Sequence, residues 1–260
     1  MAAIIPIPAL SDNYIWAVRE GNRAAVVDPG DAAPVAAWLA RESVALSAIV
    51  ITHHHWDHVN GIADLAARWP VPVFAPARES IPGRTHAVVE GDAFAVPDAG
   101  LELSVLDVPG HTAGQVAYVG TNDGHPLAFT GDTLFTCGCG RLFEGTPAQM
   151  VASLAKLAAL PGDTRVYCGH EYTLANIRFA LAVEPENQAL RAREKREQAK
   201  RDRGEPTVPS EIGDELATNP FLRCAEPAVL AAAQAHAGRR LANAVESFAA
   251  LREWKNSFRG

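Results

Sequence analysis

Apolar residues along this chain recur in two rhythms. Up to about Thr173 they come as short runs closed by glycine, proline or a polar turn. Residues 4–10 (IIPIPAL) and 14–20 (YIWAVRE) read as strands parted by Ser11-Asp12-Asn13, and 24–30 (AAVVDPG) as a strand ending in an acid, proline and glycine. Residues 34–42 switch to helical spacing, with Val35, Trp38 and Leu39 able to share a face. Residues 45–52 (ALSAIVIT) return to strand character. A helix is expected over 61–69, with Ile62, Leu65 and Ala66 on one side, and a strand over 71–77. From His86 to Gly124 only strands and turns are expected, followed by a strand over 126–135 that ends in a polar loop. The strongest helix of the middle region covers 146–160, with Thr146 as N-cap and Pro147 at the first helical position. Residues 164–172 (TRVYCGHEY) form the last expected strand.

Beyond Tyr172 the rhythm is helical. Residues 173–183 and 187–204 read as helices, the second thick with both signs of charge and expected to show a solvated face with a thin apolar stripe. GEPTVPS is a proline-rich connector, and 228–236 and 241–258 supply the last helices. The pattern predicts an α/β layered domain over 1–173 and a helical domain over 174–260.

Composition narrows the function classes. A chain of 260 residues, 48% hydrophobic, can bury a sizeable core. A formal charge of −7 offers no general field for nucleic acid or anionic membrane, so neither partner is expected. Four cysteines, Cys137, Cys139, Cys168 and Cys224, are too sparse for a disulfide framework. No basic-then-apolar leader opens the sequence, and no run reaches the ~18 apolar residues of a membrane span. The cytoplasm is the expected compartment, and a monomer the expected state.

One stretch concentrates chemistry. ITHHHWDHVNG, residues 51–61, places His53, His54, His55, Asp57 and His58 at the mouth of an apolar strand. Such groups are costly to desolvate unless paired, so the stretch is a polar surface loop or holds metal. In an extended segment i and i+2 point the same way, which lets His53 and His55 converge while His54 faces away. A turn starting at Trp56 would aim Asp57 and His58 at a neighbouring position. Further candidates follow strand ends beside glycine: His111 after Pro109-Gly110, Asp132 after Gly131, and His170 after Gly169. Five histidines and two carboxylates exceed the needs of one four-coordinate zinc but suit two adjacent metals sharing a carboxylate. His86, His125 and His236 sit in ordinary loop or helix contexts. Cys137 and Cys139 lack a matching cysteine pair and are expected to be structural or pocket-lining.

THHHWDH resembles the T-H-x-H-x-D-H signature of the metallo-β-lactamase superfamily, and GHTAG, TGDTLF and CGHEYT resemble its remaining metal-binding segments in chain order. Together with GRLFEGT, VEPEN, GEPTVPS and NPFLR, the combination resembles the glyoxalase II (hydroxyacylglutathione hydrolase) family, especially its bacterial forms, over essentially the whole chain. The resemblance implies an αββα sandwich as catalytic domain and a C-terminal helical domain that helps hold glutathione. It implies that His53, His55 and His111 bind a first metal, that Asp57, His58 and His170 bind a second, and that Asp132 bridges. Zinc is the first expectation for both ions, with iron or manganese as alternatives. In that family a metal-bound hydroxide attacks the thioester of S-D-lactoylglutathione, giving D-lactate and glutathione, a step of methylglyoxal detoxification. Catalytic roles would fall to Asp57, His53, His55, His111 and Asp132.

For the substrate the resemblance points to Arg141, Phe143, Tyr172, Arg252 and Lys255. Arg252 and Lys255 are three residues apart, so one helical face could offer both charges, part-exposed, to the glycyl carboxylate. Phe143 stands where eukaryotic relatives have a tyrosine and cannot donate a hydrogen bond. The competing expectations are another hydrolase of the superfamily, acting on a different thioester, a lactam or a phosphodiester; a one-iron glutathione-persulfide dioxygenase; and a metal-binding protein without turnover. The full second set of ligands disfavours the dioxygenase, and the absence of gaps in the ligand set disfavours the binding protein.

Overall fold

The computed structural model describes residues 2–259; the outermost residues of the two expected domains, 1 and 260, lie outside them. In chain order the elements are β1 (Ala3–Ala9), β2 (Asn13–Glu20), β3 (Arg23–Val27), α1 (Ala32–Glu42), β4 (Ala45–Val50), α2 (Trp56–Val59), α3 (Ile62–Arg68), β5 (Val73–Pro76), β6 (His86–Val88), β7 (Ala93–Val96), β8 (Leu101–Asp107), β9 (Val116–Asn122) and β10 (His125–Gly131). They continue with β11 (Leu134–Phe135), β12 (Gly138–Cys139), α4 (Pro147–Ala158), β13 (Arg165–Cys168), α5 (Thr173–Val183), α6 (Gln188–Asp202), β14 (Ser210–Glu211), α7 (Ile212–Thr218), α8 (Pro227–Ala237) and α9 (Ala244–Ser257).

Two six-stranded sheets face each other, one in the order β1-β2-β3-β4-β5-β6 and the other β14-β13-β10-β9-β8-β7. Alternation of side chains explains the layering. In β2 and β3, Trp16, Val18, Ala25 and Val27 point between the sheets, where they meet Leu103, Val105, Tyr118, Phe129 and Tyr167. Their neighbours Ile15, Ala17, Ala24 and Val26 point outward onto Val35, Trp38 and Leu39 of α1 and Ile62 and Leu65 of α3. Strands buried on both faces read as unbroken apolar runs, as AAVV and ALSAIV do. The outer face of the second sheet is covered by Met150, Leu154 and Leu157 of α4 and by Phe179, Phe221, Phe248 and Leu251 from the helical region. The result is an αββα sandwich extended by α5–α9.

The capped helix behaves as its sequence predicts. Thr146 Oγ1 accepts from the Gln149 amide while the Gln149 side chain accepts from Thr146 N, with Pro147 at the start.

The charged helix keeps its expected solvated face, but its thin buried stripe of Leu190, Arg193 and Glu197 is partly ionic rather than apolar. Arg193 forms an ion pair with the equally buried Glu215 of α7 at 2.5 Å. Two further departures are short: the β11–β12 hairpin follows Asp132, and β14 and α7 stand directly after the proline-rich connector.

Candidate metal centre

The seven candidate ligands come from strand ends of both sheets. His53, His55, Asp57 and His58 follow β4 of the first sheet; His111, Asp132 and His170 follow β8, β10 and β13 of the second. The parity argument for His53 and His55 holds in space: ligand atoms of His53, His55 and His111 lie within 4.8 Å of one another. Those of Asp57, His58 and His170 form a second such group. Asp132 stands between the two, with Oδ2 3.4 Å from His111 Nε2 and 3.2 Å from His170 Nε2, and Oδ1 3.4 Å from His58 Nε2. A side chain at Gly169 would place its Cβ 2.7 Å from Asp132 Oδ1 and 2.8 Å from His58, so only glycine leaves the cradle open.

Several imidazoles are aimed by a partner on the ring nitrogen away from the cluster. His58 Nδ1 lies 3.1 Å from Asp28 Oδ2, His170 Nδ1 2.8 Å from Asp12 Oδ1, and His111 Nδ1 2.9 Å from the Arg141 carbonyl oxygen. Each of these arrangements presents Nε2 to the centre. Asn13 Nδ2 donates to Asp57 Oδ2 at 3.0 Å and so holds that carboxylate.

Sequence reasoning missed Asp28, Asp12 and Asn13. Asp28 also accepts from Thr52 N and Thr52 Oγ1, both at 2.7 Å. Its one sequence signal is an acid closing an apolar strand in AAVVDPG.

Titration behaviour divides the site. Burial, reinforced by His58, pushes His53 well below the usual histidine range, and burial also lowers His55 and His111. His58 is depressed by burial but raised more strongly by Asp132 and Asp28, ending at about 9, and His170, also opposed by burial, is moved up by Asp132 and Asp12. Against the upward push of its own burial, Asp132 is held well below the carboxylate range by His170 and His58.

These residues fit a divalent cation. His53 Nε2, His58 Nε2 and Asp132 Oδ1 are buried without a hydrogen-bond partner, and unpaired polar atoms in the interior are costly unless something satisfies them. The donors are imidazole and carboxylate, with no thiolate among the two groups. Two clusters suited to divalent metals, side by side, are the arrangement of a binuclear centre.

Beside them opens a cavity of about 600 Å³ lined by His55, Asp57, His111, Asp132 and His170, and also by Arg141, Phe143, Tyr172, Arg252 and Lys255. The last five are the residues expected to bind substrate, so one cavity gathers them with the metal clusters. Tyr172 stacks on His170 with ring planes 3° apart, and Phe143 meets His55 and His111 edge-on while remaining exposed. Arg252 departs from the expected part-exposed state: it is 6% exposed, donates to the Cys139 carbonyl oxygen at 2.7 Å and lies over the Phe221 ring. Lys255 is half-buried, donating to the Ala175 carbonyl oxygen at 2.8 Å. His54 faces away from the cluster, towards Glu79 and Glu144. The four cysteines are free and buried, and Cys139 lines the cavity. Among the described residues no helix is long and apolar enough to cross a membrane.

Comparison with known proteins agrees with this geometry. Residues 10–170 match the family model described as "Metallo-beta-lactamase superfamily", and residues 171–258 match "Hydroxyacylglutathione hydrolase C-terminus". The hydroxyacylglutathione hydrolase of Cupriavidus taiwanensis is 58% identical over 267 residues, covering 100% of both chains. That of Alkalilimnicola ehrlichii is 60% identical, covering 98% of this chain and 99% of its own. Among solved structures, ETHE1 from Myxococcus xanthus superposes with a TM-score of 0.67 at 23% identity, covering 100% of this chain and 92% of its own. The BLEG-1 B3 metallo-beta-lactamase superposes with a TM-score of 0.63 at 22% identity, covering 85% and 99%. Both structural likenesses speak to the fold.

Proposed function

The chain belongs to the hydroxyacylglutathione hydrolase family of the metallo-β-lactamase superfamily, and from that premise we propose that it hydrolyses S-D-lactoylglutathione and related 2-hydroxyacyl glutathione thioesters to the hydroxy acid and glutathione. The observation that carries the reading is the shared cavity, where two metal-ligand clusters adjoin Tyr172, Arg252 and Lys255 from the loop and helices beyond β13. His53, His55 and His111 would hold one ion, Asp57, His58 and His170 the other, and Asp132 would serve both. Two divalent ions bound there supply a nucleophile from water at neutral pH and polarise the thioester carbonyl. Zinc suits these borderline nitrogen and oxygen donors, and iron or manganese are the alternatives.

The chain's own residues divide the remaining work. Asp57, pinned by the Asn13 amide, is placed to orient the attacking water against the carbonyl. Arg252 and Lys255 lie on one face of α9 and would offer positive charge to the glycyl carboxylate of glutathione, with Arg141, which lines the same cavity, as a third cation. Tyr172, stiffened by its stack on His170, forms the wall along which the peptide would lie. Phe143 is an apolar lip over His55 and His111. The proposal extends to a monomer working in the cytoplasm on a small-molecule substrate.

The test is turnover of S-D-lactoylglutathione beside a panel of other acyl thioesters, with metal analysis of the same preparation. Preference for the glutathione thioester with close to two metal equivalents per chain is expected. A preference for thioesters lacking glutathione, or a maximum of one metal, would overturn it.

A further inference from the structure

The first ligand group is assembled across the sandwich: His53 and His55 come from the first sheet, His111 from the second. One buried carboxylate joins their two loops. Glu79, between β5 and β6, is 5% exposed. Its Oε1 accepts from Thr112 Oγ1 at 2.7 Å and from Gly114 N at 2.8 Å. Its Oε2 accepts from His54 N at 3.1 Å and contacts His54 Nδ1. His54 stands between His53 and His55, and Thr112 directly follows His111, so three of these four donors belong to residues adjacent to a proposed ligand.

The surroundings reinforce the link. His54 Nε2 lies 3.3 Å from Glu144 Oε1, and Glu144 Oε2 accepts from Ala113 N at 2.8 Å. Thr112, Ala113 and Gly114 are thereby all gripped by glutamates that also meet His54. The segment carrying Glu79 is itself held, because Arg84 donates to the carbonyl oxygens of Pro76 and Glu79 at 2.6 and 2.8 Å. It packs so closely on the second loop that a Cβ at Gly114 would sit 2.9 Å from the Arg78 backbone.

His54, Glu79 and Glu144 also stand close enough together to suggest a third cation site. The hydrogen bonds argue otherwise, since an ionised carboxylate has about four acceptor positions and Glu79 already faces four donors. The group is a clamp.

We infer that Glu79 is a positioning residue that holds the His53–His55 segment and the His111 loop at the mutual distance a shared metal ion requires. The inference rests on the proposed reading of His53, His55 and His111 as one ligand set. Glu79→Gln would turn one acceptor oxygen into a donor facing donors, loosening one side of the clamp without changing its size. Outer partners of this kind typically alter metal affinity by about 10- to 100-fold.

The experiment measures zinc dissociation constants by chelator competition in two backgrounds. His170→Ala leaves the first ligand set intact; His111→Ala leaves the second. Adding Glu79→Gln should weaken zinc by about 10- to 100-fold in the His170→Ala background. It should weaken zinc distinctly less in the His111→Ala background, where the zinc-holding set no longer includes a ligand from the loop that Glu79 ties to residues 53–55. Unchanged affinity in the first background, or equal weakening in both, would overturn the inference. Should Glu79→Gln fail to fold, Thr112→Val deletes a single donor and should show the same selectivity at a few-fold scale; no selective loss would overturn the inference equally. Absence of zinc from the His170→Ala protein with Glu79 intact would instead overturn the ligand assignment, and the inference with it.

Discussion

Arg252 Nη1 donates to the carbonyl oxygen of Cys139 at 2.7 Å, tying α9 to the hairpin that follows Asp132. Arg252 therefore has a structural duty beside any role in binding, whereas Lys255 spends only one donor on the protein, at the Ala175 carbonyl. Lys255→Ala is the cleaner probe of substrate recognition. The glycyl end lies far from the reacting carbonyl, so its contact is similar in ground and transition states and its loss should raise KM while sparing kcat. A charge-assisted bond at a half-buried group, discounted for solvent, is worth about 1–2 kcal/mol, or about 5- to 30-fold in kcat/KM. A substrate truncated at the glycyl end should be indifferent to the replacement. A fall in kcat at unchanged KM would remove Lys255 from the carboxylate site. Arg252→Ala should add a loss of thermal stability that Lys255→Ala does not show.

Lys255 also sets a pH dependence. Burial, then the neighbouring Arg252 and Arg178 charges, lower it to about 8. Below that pH it is cationic and could bind an anion; above it the charge is lost. The kcat/KM profile, which reports the free enzyme, should fall above about pH 8 by up to the same 5- to 30-fold. Lys255→Arg keeps its charge past pH 12 and should erase this limb. A limb that persists in the arginine variant belongs to another group.

Asp132 and His54 offer a contrast inside the histidine-rich region. Asp132 lies 3.2–3.4 Å from three imidazole nitrogens of both groups, while the ring nitrogens of His54 face Glu79 and Glu144. Asp132→Ala should lower zinc content below one equivalent and kcat by more than about 100-fold, exceeding what loss of an outer partner does. His54→Ala should retain both ions and lose about tenfold at most. Metal analysis and kinetics on the two variants decide; equal losses would contradict the alternating faces of residues 53–55.

Asp28 supports the second group from outside it. It receives three polar contacts in the interior, from Thr52 N, Thr52 Oγ1 and His58 Nδ1. Asp28→Asn should weaken zinc at the Asp57, His58 and His170 group by about 10- to 100-fold. Asp28→Ala leaves buried donors unpaired and should cost about 2–5 kcal/mol in denaturant unfolding of the metal-free protein. An unchanged unfolding midpoint would show that water replaces the carboxylate.

What proved legible in the sequence was local. The strand rhythm of residues 4–52, the capped helix opening at Thr146-Pro147 and the common direction of His53 and His55 all follow from periodicities that span a few residues. The ligand types announced a metal because imidazoles and carboxylates at the mouths of buried strands need a partner. The α6 helix shows where this reasoning stops. Most of its charges do face solvent, but its buried stripe was expected to be apolar, and it is Glu215 and Thr218, twenty-two and twenty-five residues beyond Arg193, that make a buried arginine tolerable there.

The sequence by itself determined which chemistry is present: a layered α/β domain, seven candidate metal-ligand side chains, and cations on the last helix. Tertiary structure alone decided how that chemistry is aimed. Asp28 meets Thr52 across 24 positions, Glu79 meets Gly114 across 35, and Asp12 meets His170 across 158. No short-range period can pair such residues. Their meeting depends on which strand ends the two sheets bring together when Trp16, Phe129 and Tyr167 pack between them. Side-chain identity is inscribed along the chain, but a hydrogen bond needs a direction and about 3 Å, and the packed sandwich supplies both.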